Sequence, residues 1–371
     1  MNLGHSNHLI GIAFFLVLLV GISGCSGNEP NIDKGKSNEP MVVMVTKDKL
    51  DIEGQLEALK VIRLENREES LIGQIDKIIV SKSGIFVLDI GNTKSLFHFD
   101  AEGKFKYKLS DVGTGPSEFY LPFDFSINEA DGLVYILDVN QRKLMKFDLK
   151  NGNHIGNEPI DFQAKSFSHL MDNLFAFQLD ARQFSNDKKE ELLIIYDAAS
   201  QQTISSFLPE YSTADFLPTR TYFTLNDNEV LFSKSMHDTI YQYSEDKFEP
   251  SIILDFQGKN VTDEVKSLDM MEARQSFMEG GIYYHNGGFS KSEDKLLFNW
   301  LDDTMEYLGY YNASTQNFYN LSFSEIPIEK AVGVYDNYFV SYANAYDFSV
   351  DSEYYLADDD QNPYVLLFKL K

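Results

Sequence analysis

Side chains able to do chemistry are sparse in this 371-residue chain, and no catalytic signature organises them. There is no G-x-S-x-G nucleophile turn, no H-E-x-x-H or C-x-x-C pair and no Walker loop. The glycine-rich stretch at residues 113–119 (GTGPSEF) lacks the lysine that a phosphate loop requires. Its glycines instead fit a tight crossover, with Glu118 accepting from backbone N–H groups. The candidates that remain are ligand-contacting residues: Asp124, His169, His285 and Asn286 on strand-like runs, and Arg182, Arg220, His237 and Asp302 in adjoining turns. Tyr222, Arg274 and Tyr346 join them from longer loops. A calcium site needs six to eight oxygens, and only Asp124, Asn286 and Asp302 could contribute side-chain oxygens here. No cofactor and no metal ligand set is therefore assigned, with calcium left as the one open possibility.

The elements that must hold these residues repeat. A strand-like run ending in F-D or its equivalent places Asp100, Asp148, Asp197 and then Ser244 at successive spacings of 48, 49 and 47 residues. Each period holds four short apolar or alternating runs separated by turn residues, as in residues 75–80, 85–89, 95–100 and 104–109. Aromatics, 29 Phe and 21 Tyr, favour strands throughout. A period of this length with four strands is the mark of a β-propeller. Five units are complete. The sixth has three runs, starting at Ala331, Tyr338 and Tyr364, while a strand-like run at residues 60–65 (KVIRLE) precedes the first unit and belongs to nothing there. Placing that run as the outer strand of the sixth blade closes the ring and removes exposed edges. The expectation is an all-β, six-bladed propeller over residues 57–371, closed by an N-terminal strand paired with the C-terminal blade. A pair of sandwiches or a solenoid would leave both the deficit and the spare strand unexplained.

Residues 9–20 (LIGIAFFLVLLV) form an apolar run short for a bilayer span and right for a signal-peptide core. The stretch that follows, Ile22-Ser23-Gly24-Cys25, resembles the bacterial lipoprotein box, and Cys25 is the chain's only cysteine. Residues 1–24 read as a lipoprotein signal peptide, Cys25 as the lipidation site and residues 25–56 as a polar tether. The implied location is the bacterial cell envelope, on the outer membrane. With 32 Lys plus Arg against 57 Asp plus Glu, the formal charge of −25 argues against nucleic acid as a partner. The Gly-containing turns, the GTGPSEF stretch and the following FDF run resemble the six-bladed, NHL-like propeller lipoproteins of Bacteroidetes. That resemblance implies an envelope-anchored propeller and no established activity.

Sorting loops by the end of the blade from which they leave puts every large insertion on one face: residues 181–191, 209–220, 255–280 and 344–363. Long loops on a rigid scaffold are where binding is usually found, so this face is the candidate site. Within the largest insertion, Val261, Val265, Leu268, Met271 and Phe277 approach helical spacing behind Thr262 and Asp263 as caps, which predicts a short amphipathic helix near the channel mouth. Two functions fit: a binding module for a glycan, peptide or protein partner, favoured by the aromatic loops; alternatively, a calcium-dependent hydrolase or lyase of the lactonase-like propeller type.

Overall fold

The alternating runs form six antiparallel sheets in the computed structural model, which describes residues 39–180, 190–210, 222–226, 229–302, 305–322, 325–357 and 361–371. The first four blades, each from inner to outer strand, start at Lys77–Ser81, Pro122–Asn128, Ala164–Met171 and Phe223–Asn226. The fifth runs Tyr284–Ser292, Lys295–Leu301, Glu306–Asn312 and Asn317–Ser322. The sixth comprises Gly333–Tyr335, Tyr338–Ala343 and Tyr364–Leu370, and its outer strand is Leu56–Arg63 from the other end of the chain. The expected closure is thus present, with Tyr364 opposite Arg63 and Phe368 opposite Leu59.

Period-2 alternation sends successive side chains of one strand to opposite neighbouring blades, and the buried clusters show it. Phe86 and Leu88 pack with Phe125 and Ile136 between blades one and two. Ile85 and Val87, their immediate neighbours, pack with Val340, Val365 and Leu367 between blades six and one. Four further clusters occupy the remaining inter-blade gaps, so the core is a ring of six wedges around an axis. The recurring Asp of each unit holds its outer turn: Asp100 Oδ1 accepts from the N–H of Lys104 at 2.8 Å, Asp148 Oδ1 from Asn151 at 3.0 Å and Asp197 Oδ1 from Ala199 at 2.9 Å. Where the fourth unit has Ser244 instead, Glu245 and Asp246 turn the chain with φ of 51° and 61°, the two-residue hairpin that favours left-handed residues.

The tether expected over residues 25–56 does not extend that far. Met41–Met44 pairs in parallel with residues 252–255 of blade four, and Lys49–Asp51 pairs in parallel with residues 320–322 of blade five, giving both blades a fifth strand. The polar composition of the segment hid an alternation in which Val43 and Val45 insert among Leu231, Leu254 and Phe256. Between the two strands, the Lys47 ammonium pairs with the buried carboxylate of Asp302 and lies 5.1 Å from the Tyr283 ring centre. Asn320 Nδ2 donates to the Thr46 carbonyl at 2.8 Å, and Gln257 Nε2 to the Val45 carbonyl at 2.7 Å.

Lys47→Met keeps the stem and removes the charge, depriving buried Asp302 of its cation. It is expected to cost about 1–3 kcal/mol, discounted for the exposed half of the lysine. A lower urea midpoint at unchanged m-value is the readout, and Asp302→Asn in the Lys47→Met background should recover part of the loss.

Candidate functional site

The inner strands stand side by side around the axis and leave a cavity of about 320 Å³, lined by apolar groups such as Ile79, Phe167, Phe223 and Val334 and by the polar Ser126, Ser168 and Thr224. Polar groups gather where the inner strands of blades one, five and six begin: Asp76, Asn286, Asn299, Glu306, Lys330 and Tyr342. A second depression of about 580 Å³ shares Asn286, Asn299, Glu306 and Lys330 with the first and extends over blade five toward Lys49.

Asn286 reaches this mouth because the inner strand of blade five is irregular. Its pairing with Lys295–Leu301 shifts between His285 and Phe289, so Asn286, Gly287 and Gly288 form a bulge. Gly287 has φ of 96°, a conformation side-chain-bearing residues rarely adopt. Bulges of this kind re-aim side chains. Asn286 Nδ2 donates to Glu306 Oε1 at 2.6 Å, while the Gly288 N–H donates to Asn286 Oδ1 at 3.1 Å. Beneath the bulge the fully buried His285 accepts the Gly287 N–H on Nδ1 at 3.0 Å, which places its proton on Nε2. Burial, reinforced by repulsion from nearby His237, pushes the His285 imidazole down to about 4.

Several other candidates have structural duties. Asp124 is buried and joins three blades: Oδ1 accepts from Lys77 Nζ at 2.6 Å, and Oδ2 from Ser166 Oγ at 2.7 Å and the Phe167 N–H at 2.8 Å. Asp302 accepts the Met305 N–H at 2.9 Å and the Tyr307 hydroxyl at 2.9 Å in addition to Lys47. Asp302 ends the second strand of its blade, as do Asp89 and Asp138 in the first two. Asp89 accepts the Gly73 N–H at 2.9 Å and Asp138 the Tyr120 N–H at 2.6 Å, tying each crossover to its blade. Asp124 and Asp302, two of the three oxygen donors considered for calcium, are thus already engaged by protein groups. Among the described residues no group of three or more His, Cys, Asp or Glu is placed to hold a metal.

His169 belongs to the opposite end of the channel. The inner strand of blade three is eight residues long, so His169 lies beside its hairpin turn, with Nε2 3.0 Å from the Asp172 carbonyl and 3.3 Å from Asn128 Nδ2. Tyr222 is buried between blades three and four. Tyr346 and Arg274 are exposed and do not line the cavity, and His237 lies in the turn after Glu229–Ser233. Cys25, Arg182 and Arg220 lie outside the described residues. The expected helix is two: Asp263–Ser267, capped by Thr262, and Met270–Glu279, capped by Asp269. Val261, Val265, Leu268 and Phe277 pack there as expected, but Ala273 rather than Met271 completes the buried face. No helix among the described residues is long and apolar enough to cross a membrane. The crossover reading of residues 113–119 holds: Glu118 Oε2 accepts the Gly115 N–H at 2.9 Å, and a Cβ on Gly113 would stand 2.0 Å from that oxygen.

The model of a domain of unknown function, DUF4934, matches residues 40–370, which begins at the added strands and ends at the closing one. The chain belongs to this family. A crystal structure of a Bacteroides fragilis protein described as exported is similar with a TM-score of 0.74 at 15% identity, over 89% of this chain and 100% of that one. A member of the DUF4221 family from Bacteroides vulgatus matches with a TM-score of 0.54 at 11% identity, over 85% and 97% of the two chains. No curated protein matches. At such identities these likenesses establish the propeller fold and no more.

The depressed His285 imidazole gives a pH test. Its folded value, about 4, lies below the ordinary 6.5, so the unfolded chain binds the extra proton between those limits. Stability is therefore full above pH 6.5 and falls as the pH drops toward 4, by about 3 kcal/mol from this group. Burial also lowers His98 and His169, in the same direction. Denaturant melts at pH 7 and 4.5 should show a smaller difference for His285→Asn than for the parent.

Proposed function

We propose that this chain is an exported, lipid-anchored propeller that acts as a binding module, with its ligand held at the axial mouth between blades one, five and six. Export is supported by the apolar leader at residues 9–20, by the lipoprotein-type residues 22–25 and by the likeness to a propeller described as exported. Acylation of Cys25 would provide the attachment, since stable anchoring takes more than one chain and a multiply acylated N-terminal cysteine supplies it. The outer membrane is the proposed site of anchorage.

The bulge at residues 286–288 carries the binding assignment. It breaks the regular ladder of one inner strand, uses a left-handed glycine and turns an amide toward a cavity lined by both polar and apolar groups. A pocket of this size with mixed walls and convergent polar groups at its mouth is suited to a small ligand or to the end of a larger one.

Thermal-shift screening of glycans, peptides and envelope fragments, followed by calorimetry, tests the reading. Asn286→Ala should weaken a mouth ligand by roughly tenfold, whereas Asn337→Ala, in the turn at the other end of blade six, should leave affinity unchanged. Equal losses for both, or loss only for Asn337→Ala, would place the site elsewhere. Cys25→Ser should shift the protein from the membrane to the soluble fraction.

A further inference from the structure

The charged groups at the mouth differ in what they already hold. Lys77 is committed to Asp124 and to the Phe125 carbonyl. Asp76 accepts Gln74 Nε2 and the Ile90 N–H, at 2.8 and 2.6 Å, and Glu306 accepts Asn286. Lys330 contrasts with these. Its ammonium lies 4.2 Å from the centre of the Tyr342 ring, and it makes no hydrogen bond or ion pair with any described residue. The aromatic face holds the cation at the rim without using its three N–H donors.

Asn299 supplies an acceptor at the same opening. Its side chain, 4% exposed, donates Nδ2 to the Glu329 carbonyl at 2.9 Å. Its Oδ1 takes no donor from the described residues and lies near the bulge, where a Cβ on Gly288 would stand 3.7 Å away. The mouth therefore offers a cation, an amide acceptor and a cavity of about 320 Å³ whose wall is part polar and part apolar.

We propose that the mouth captures the C-terminal end of a peptide. This rests on the mouth being the binding site and goes on to name what it binds. The terminal carboxylate would accept from Lys330 Nζ, the last backbone N–H would donate to Asn299 Oδ1, and the last side chain, an apolar one, would enter the cavity. A fatty acid matches the cation and the cavity but brings no N–H for Asn299. A neutral glycan matches the amides but leaves the ammonium without an anion. An acyl-amino-acid end answers all three features, and capture of terminal carboxylates is an established mode of peptide recognition.

The test uses the full chain in detergent with fluorescent tripeptides ending in Val, Leu or Phe, each as free acid and as C-terminal amide, with dodecanoate and a neutral oligosaccharide as competitors. Polarisation should show at least one free acid binding, and its amide at least tenfold weaker. Lys330→Ala should weaken the acid at least tenfold without affecting the amide, Lys330→Arg should restore most of it, and dodecanoate and the oligosaccharide should compete poorly. Unfolding midpoints of the variants, matched to the parent, exclude misfolding as the cause. Equal binding of acid and amide, stronger competition by dodecanoate, or no binding of any acid would overturn the peptide assignment. The binding reading would survive that result if the oligosaccharide or dodecanoate bound in a manner sensitive to Asn286→Ala, and would fall with it if every ligand bound was indifferent to both Asn286 and Lys330.

Discussion

The antiparallel pairing of Leu56–Arg63 with Tyr364–Leu370 is the contact on which the other structural features rest. Without it the sixth sheet would have three strands and an open edge, a template for pairing with other chains. The wedge between blades six and one would also lose its footing, because Val365 and Leu367 are the residues that pack against Ile78, Ile85 and Phe97. The ring then sets the mouth. Tyr342 comes from blade six, Lys330 from the crossover before it, Asn286, Asn299 and Glu306 from blade five and Asp76 from blade one, so Asp76 joins the others only when the circle is shut. Closing a loop of nearly the whole chain is entropically costly and must be offset by contacts formed together, which ties the site to cooperative folding.

Repetition and departure from it have different meanings in this molecule. Aspartates at equivalent places cap turns or bind crossovers blade after blade, and their carboxylates, buried in Asp89 and Asp138, accept from backbone N–H groups. Asp302 shows how such a position can look functional: it is the repeat's own aspartate, further paired with a lysine from the N-terminal segment. Departures cluster differently. The bulge in the fifth inner strand, the second-strand Asn299 and Lys330 of the following crossover, held over the Tyr342 ring, all meet at one opening.

Much of this architecture was legible in the sequence because propeller blades rely on short-range rules. Period-2 alternation marked the strands, the F-D turns set the period, and the three-run sixth unit together with residues 60–65 indicated the closure. Less local facts were not visible. The strand at Met41–Met44 needed a partner more than 200 residues away to become a strand, and its polar surroundings read as linker. Asp124 and Asn286 looked alike on paper, yet one faces a lysine of the neighbouring blade and the other is turned to the channel by a bulge. His169 was assigned to the wrong end because strand length, not residue type, decides which end a side chain reaches. The HNGG stretch at residues 285–288 carried a usable sign, glycines inside a strand pattern. Lys330 and Asn299 carried none, since a lysine in a crossover and an asparagine on a strand are ordinary until the fold places them at one opening.

Native-state hydrogen exchange on residues 56–63 and 364–370 tests the closure most directly. If this pairing holds the ring, the slowest amides of both segments should open only with the whole domain, at the same free energy and the same denaturant dependence as the buried strand Gly84–Asp89 of blade one. Exchange of the two segments by a separate, lower-energy opening that leaves Gly84–Asp89 protected would show that the ring persists unlatched, and would contradict the account.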